Sequence, residues 1–168
     1  RPIERDIDAT LDAWLSNGST AAKMATSETF QVKAIPEAPF IDAAYYLVGN
    51  LTEWGLDTKL KFAHSDADVY EDPVFTLMFT TTNDDQYWKI IPQGNVDKGN
   101  IWAVENDPKG VVGVENDGDD AMSGKLLTTT STGVKAYAGK IAKAGMYQMT
   151  INMMDYTYTI KQIAPEYY

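Results

Sequence analysis

Tyr45-Tyr46-Leu47-Val48-Gly49-Asn50-Leu51-Thr52-Glu53-Trp54-Gly55 is the stretch whose reading decides the fold. It opens as a strand of good β-formers, with Tyr45 and Leu47 facing one way and Tyr46 and Val48 the other. The pattern stops at Gly49-Asn50, a pair that tolerates positive φ and reads as a turn. A tryptophan then stands on the loop, with Gly55 at once behind it. A strand that hands an aromatic ring to a loop has two uses. It exposes a flat, half-apolar surface suited to the C–H face of a sugar ring, or it folds the ring back as a cap on the core. Spacing leaves both readings of Trp54 open.

Downstream, a short strand is expected at Asp57–Phe62. A polar run from His64 to Asp72 follows, closed by Pro73. Val74–Thr80 alternates, with Phe75, Leu77 and Phe79 on one face, and Thr82-Asn83-Asp84-Asp85 is a turn. Gln86–Ile91 is the next strand, ended by Pro92; Trp88 and Ile90 share one face, and Tyr87, Lys89 and Ile91 the other. Residues 93–133 are loop-rich and carry seven of the twelve glycines. Short strands are expected there at Ile101–Val104 and Leu126–Thr130, with a weak one at Lys135–Lys140. The last hairpin is the clearest: Met146–Asn152 with Tyr147, Met149 and Ile151 on one face, a turn at Met153-Met154-Asp155, then Tyr156–Ile163.

Upstream, Ile3, Ile7, Leu11, Trp14 and Leu15 fit a helical stripe, while Ile7, Ala9, Leu11, Ala13 and Leu15 fit strict alternation equally well. Asn17-Gly18-Ser19 is a turn in either case, and Thr29–Ile35 alternates as a strand. Pro36-Glu37-Ala38-Pro39 reads as a stiff linker and domain boundary. One hairpin before a linker cannot bury a core, so residues 1–38 are read as the tail end of a preceding β domain. Arg1 in first position, without Met, reads as a processed or cut chain. Many short strands with turns between them, and no long helix after residue 16, predict an all-β antiparallel β-sandwich over residues 39–168.

The chain has 168 residues, a formal net charge of −10 and 23% charged residues. That balance argues against nucleic acid and anionic membrane surfaces as partners. The absence of cysteine excludes disulfides, thiol catalysis and Cys-based zinc sites. No apolar run of membrane-spanning length and no signal peptide is visible. Catalytic motifs are missing too: no Gly-x-Ser-x-Gly, no P-loop, no His-Glu-x-x-His. The single histidine, His64, reads as a solvated residue in a polar run. Glu115-Asn116-Asp117-Gly118-Asp119-Asp120 has the oxygens for calcium but not EF-hand spacing, and reads as a solvated loop. With 24 acidic residues, no carboxylate pair is diagnostic of a glycosidase. No cofactor, metal or catalytic residue is therefore predicted.

The constellation that remains is Trp54, Lys89 and Trp102. Sugar recognition needs aromatic faces for stacking and a few charged or amide groups for hydroxyls. The alternative for Trp102 is a core strand residue, and for Lys89 an ordinary solvated lysine. Trp88, paired in orientation with Ile90, reads as core.

Tyr-Leu-Val-Gly-Asn followed by Trp, a Trp-Lys-Ile strand, a Trp after the next glycine turn and a closing Ala-Gly-Met-Tyr…Thr-Ile hairpin resemble the starch-binding modules of SusE and SusF, from about Ala38 to Ile163. The Glu28–Pro39 strand and linker resemble the end of the immunoglobulin-like domain that precedes such modules. The same Trp, Lys, Trp order resembles the glycogen-binding domain of the AMP-activated kinase type, departing from it at Ile90, where an aromatic is usual, and in the Asn106–Gly124 insertion. The resemblance implies a non-catalytic module that binds an α-glucan or related glycan. It would sit at the outer-membrane surface of a Gram-negative bacterium on a lipid anchor outside this chain, possible neighbours being other glycan-uptake proteins. Trp54 and Trp102 would stack and Lys89 would donate to hydroxyls. The competing reading is a structural or adhesin-like sandwich that mediates protein contacts, with those aromatics in the core.

Overall fold

The structure, a computed structural model, describes residues 5–34, 38–104, 110–129 and 133–163. The chain divides into two units, Arg1–Ala38 and Pro39–Tyr168. The first holds four strands rather than one hairpin: β1 (Arg5–Ala9), β2 (Asp12–Ser16), β3 (Ala21–Thr26) and β4 (Phe30–Ala34). The extended reading therefore prevails over the helical stripe. The physical reason is pairing: β1 lies antiparallel to β4 with Ile7 opposite Val32, and β2 lies antiparallel to β3 with a bulge at Ala13/Trp14. These ladders satisfy the backbone groups that a helix would have satisfied internally. Each ladder has only two strands, and their apolar side chains stay exposed, Leu15 at 66%. Most of the Pro36–Pro39 linker lies outside the described residues.

The second unit is the antiparallel sandwich that alternation predicts. Its strands are β5 (Tyr45–Gly49), β6 (Val74–Thr81), β7 (Gln86–Pro92), β8 (Val112–Gly113), β9 (Ser123–Lys125), β10 (Leu127–Thr128), β11 (Gly139–Ile141), β12 (Gly145–Asn152) and β13 (Thr157–Ile163), with one short helix, α1 (Gln93–Asp97). One sheet runs β6-β12-β13-β9. In the other, β7 is central. β5 pairs along one side of it, while β11 and β8 share the other and β10 lies beyond β8. Between the sheets pack Tyr45 and Leu47 of β5, Trp88 and Ile90 of β7, Phe75, Leu77 and Phe79 of β6, Tyr147, Met149 and Ile151 of β12, and Tyr158 and Ile160 of β13.

Three expectations change. Asp57–Phe62 is not a strand: Thr58–Leu60 is a 3₁₀ turn whose start is capped by the Asp57 side chain accepting from Lys59 N. The residues after it form single bridges instead, Lys61 with Tyr46 and Ala63 with Thr76. This short segment thus joins β5 of one sheet to β6 of the other, with Phe62 buried between them. Ile101–Val104 is a turn and coil, not a strand. Strand pairing near the carboxyl end of the glycine-rich stretch falls at Leu127–Thr128 and Gly139–Ile141, shorter than or offset from the expected segments. The Asn106–Asp107-Pro108-Lys109 part of the insertion lies outside the described residues, as does Thr130.

The strand that opened the sequence reading is buried on both faces. Tyr45 and Leu47 enter the main core, while Tyr46 and Val48 join Ala44, Ile91 and Val111 in a second cluster on the outer side of the β5–β7 sheet. Leu56, Val96 and Ile101 close over that cluster. These three are partly buried, so each contributes only a part of the roughly 1.5–3 kcal/mol that full burial of an aliphatic side chain supplies. Leu56 and Ile101 each root a loop in that cluster, and Val96 roots α1.

Candidate binding site

Trp54 stands on the first of those loops. Gly49 is needed there for a reason other than positive φ: its backbone is extended, and a Cβ would lie 2.0 Å from the Tyr87 carbonyl oxygen. The left-handed residues are Glu53 (φ 50) and Trp54 (φ 60). Such backbone costs of order 1–3 kcal/mol per non-glycine residue and persists where the surroundings hold it. Here they do. Trp54 N donates to Gly49 O at 2.8 Å and Gly55 N to Thr52 O at 2.9 Å. The Thr52 hydroxyl accepts from Gly49 N and donates to Gly49 O. Asn50 Oδ1 accepts from Tyr87 N at 2.7 Å and pins the loop to β7. Leu56, two residues past the ring, roots the loop in the second cluster.

Trp102 stands on the second loop. α1 is fixed to the start of β5 by Gln93 N donating to Ala44 O, by Gly94 N donating to Asp42 Oδ2 and by the Tyr46 hydroxyl donating to Gln93 Oε1. From α1, the buried Asn95 donates through Nδ2 to Ile101 O at 2.9 Å and Ala103 O at 3.1 Å. Its Oδ1 is buried without a partner, a local cost of about 1–3 kcal/mol. Asn100 Oδ1 accepts from Trp102 N, and Ile101 packs on the second cluster.

The two loops bring the two rings together. Trp54 and Trp102 lie with centroids 6.1 Å apart and planes 44° apart. Trp102 is 39% exposed and Trp54 half-buried. Neither belongs to the main core, whereas Trp88 does: it is 3% exposed and meets Tyr158 edge-on at 5.2 Å. Lys89 lies on the outer face of β7, opposite Val48. It is not an ordinary solvated lysine. Its Nζ donates to Ala136 O at 2.9 Å, and partial burial pushes its pKa down, helped by the charge of Lys135 and opposed by Asp117. Lys135 in turn sits over the Tyr137 ring, 4.6 Å from its centroid.

His64 is also less solvated than its polar run suggested. Its ring stacks on Phe75 at 4.4 Å and its Nε2 lies 2.5 Å from Asp72 O. Ser65 Oγ donates to Asp72 Oδ2 rather than facing the imidazole, so the three residues do not form a nucleophile and base. In the 115–120 loop, Asp119 Oδ1 accepts from Ala121 N. Among the described residues no cluster of three or more His, Asp or Glu is placed to hold a metal ion, and no helix is long and apolar enough to cross a membrane. Sequence reasoning missed Asn95 and Asn50. Asparagine beside glycine reads as turn chemistry, and nothing in its spacing marks a side chain that turns inward.

A family model described as SusF, first starch specific CBM, matches residues 40–162. The crystal structure of SusF from Bacteroides thetaiotaomicron is similar over 95% of this chain, with a TM-score of 0.52 and 18% sequence identity, a likeness that speaks to the fold. The chain spans 33% of that protein's length. No curated protein matches.

Proposed function

Because the chain belongs to the family of the first starch-specific carbohydrate-binding module of SusF, a non-catalytic binding family, we propose that residues 39–168 capture an α-glucan, starch or a maltooligosaccharide. The module binds carbohydrate and is not an enzyme. The observation that supports the finer reading is the tilted pair of Trp54 and Trp102, 6.1 Å apart with planes at 44°. An α-1,4-linked glucan curves, so successive sugar faces turn relative to one another. Two rings set at an angle follow that curve, whereas a flat β-1,4 ribbon fits coplanar rings. Stacking uses the apolar C–H faces and leaves the hydroxyls for donors. Lys89, with one proton given to Ala136 O, has two left for sugar hydroxyls.

Residues 1–38 are, on this reading, the end of a preceding immunoglobulin-like domain whose other strands cover the exposed apolar faces of β1–β4. The natural setting is the outer-membrane surface, on a lipid anchor, beside other proteins of glycan uptake.

The test is tryptophan fluorescence of the 168-residue chain titrated with maltoheptaose and, separately, with cellohexaose. The expected result is a saturable change with maltoheptaose only, with no reducing ends released on long incubation. Equal responses to both sugars remove the α-linkage from the proposal, and silence with both favours the protein-contact reading.

A further inference from the structure

We propose that Asn95 is a positioning residue for Trp102, setting the direction in which the ring faces ligand while never touching ligand itself. The loop proposal rests on the glycan reading above only for the affinity part of its test.

Trp102 lies in a turn, outside any strand or helix, so no regular ladder aims its ring. The Asn95 amide supplies what the ladder does not. Ile101 O and Ala103 O belong to the residues on either side of Trp102, and one Nδ2 holds both, at 2.9 and 3.1 Å. A carbonyl only accepts, so the nitrogen end of the amide must face them, and both its protons are spent. The two held carbonyls bracket the φ and ψ of Trp102 and of Ala103, and so restrict the Cα–Cβ direction along which the indole leaves the chain. Asn100 Oδ1 tightens the same point by accepting from Trp102 N at 3.1 Å.

Burial separates this role from that of a ligand group. Asn95 is 1% exposed, so a glycan on the tryptophans cannot reach it. Its unpartnered Oδ1 argues the same way. An apolar side chain would fill the space without stranding an acceptor, but could not hold two carbonyls. The base of the clamp is itself fixed: α1 is tied to Ala44, Asp42 and Tyr46 at the head of β5, and Val96 packs into the second cluster with Ile101. The angle between the two indoles is thus referred back to the sheet through one amide.

The experiment makes Asn95→Ala and the milder Asn95→Ser, each in the wild-type and Trp102→Ala backgrounds of the full chain. Two indoles as close as Trp54 and Trp102 couple excitonically, and the circular dichroism couplet that results depends on their mutual angle. It needs no ligand. The expected result is a folded variant whose couplet is reduced towards that of Trp102→Ala, with maltoheptaose binding roughly tenfold weaker, the order of loss met when a recognition residue is disturbed. In the Trp102→Ala background Asn95→Ala should cost no further affinity, because the cycle then lacks the partner through which it acts. A wild-type couplet in Asn95→Ala overturns the proposal. So does an equal loss of affinity with and without Trp102, or failure of both Asn95 variants to fold, since either makes the asparagine a general structural residue. If the couplet responds but the unmutated chain binds no maltoheptaose, the positioning role stands and the glycan reading falls.

Discussion

Glu53 and Trp54 carry left-handed backbone that bulky side chains avoid, and the same loop presents one ring of the pair. The residue scale therefore separates the tryptophan that holds the fold, Trp88, from the two proposed to meet ligand. Trp88 fills the main core at 3% exposure, so Trp88→Ala should cost about 3–5 kcal/mol, a large share of the roughly 5–15 kcal/mol of a domain, and a thermal melt should register it. Trp54→Ala and Trp102→Ala should melt close to wild type yet weaken maltoheptaose binding by about 2 kcal/mol. A large fall in melting temperature for either would place it in the core and remove it from the site. Trp54 was legible as a loop residue because tryptophan behind a glycine-asparagine turn is a conspicuous pattern, and Trp102 as a candidate after a glycine turn, although the strand expected around it is a turn and coil. Their closeness was not, since it depends on a second apolar cluster formed by residues as far apart as Val48 and Ile101. Lys89 was legible as outward-facing on β7, but its bond to the Ala136 carbonyl joins segments 47 residues apart and leaves no trace in local spacing.

In the second unit, strands that span several alternations were readable, and the bounds of shorter ones were not. β6, β7, β12 and β13 run seven or eight residues, enough for alternation to be seen. β8 and β10 have two residues each and β9 has three; a segment that short has no measurable period. α1 was missed because Gln-Gly-Asn-Val-Asp holds poor helix formers and is fixed by tertiary bonds to Ala44 and Asp42. Two predictions belong here. Gly49→Ala puts a methyl 2.0 Å from the Tyr87 carbonyl, so β5 must part from β7 at that end. A lowered melting temperature and faster amide exchange at Val48–Leu51 are expected. The second concerns the turn between β6 and β7. Asp84 accepts from Lys143 Nζ at 2.8 Å and from Ala144 N at 2.9 Å, joining it to the turn before β12, and these bonds hold its carboxyl below its ordinary pKa. A group whose folded pKa is depressed stabilises above its unfolded pKa, and the effect is lost as pH falls through the folded value. Asp84→Asn should therefore lower the melting temperature at pH 7. The gap should close as the pH is taken well below the unfolded aspartate value of about 3.9; a gap independent of pH would show that charge is not its source.

At the scale of the molecule, the sandwich followed from alternation and turn spacing, while the four-stranded make-up of the first unit did not, because two periods fitted its opening residues equally. Among the described residues, the main core draws on Ile41 and on residues from Tyr45 to Ile160. The chain lacking residues 1–38 should accordingly fold and keep the melting temperature of the second unit; an insoluble 39–168 protein would show that the first unit completes the sandwich. The bridge from Tyr46 through Lys61–Ala63 to Thr76 has a colloidal consequence. A sandwich normally leaves outer strands whose unpaired amides and carbonyls template association with a neighbour. Here Ala63 and Thr76 exchange both hydrogen bonds, so the outer flank of β6 meets its own chain at Thr76, and at the opposite end of that sheet β9 is a stub of three residues ending in Lys125. On this sheet, copies of the module crowded side by side would find one long edge interrupted at Thr76 and the other cut short at β9, which leaves less continuous backbone for strand-to-strand association.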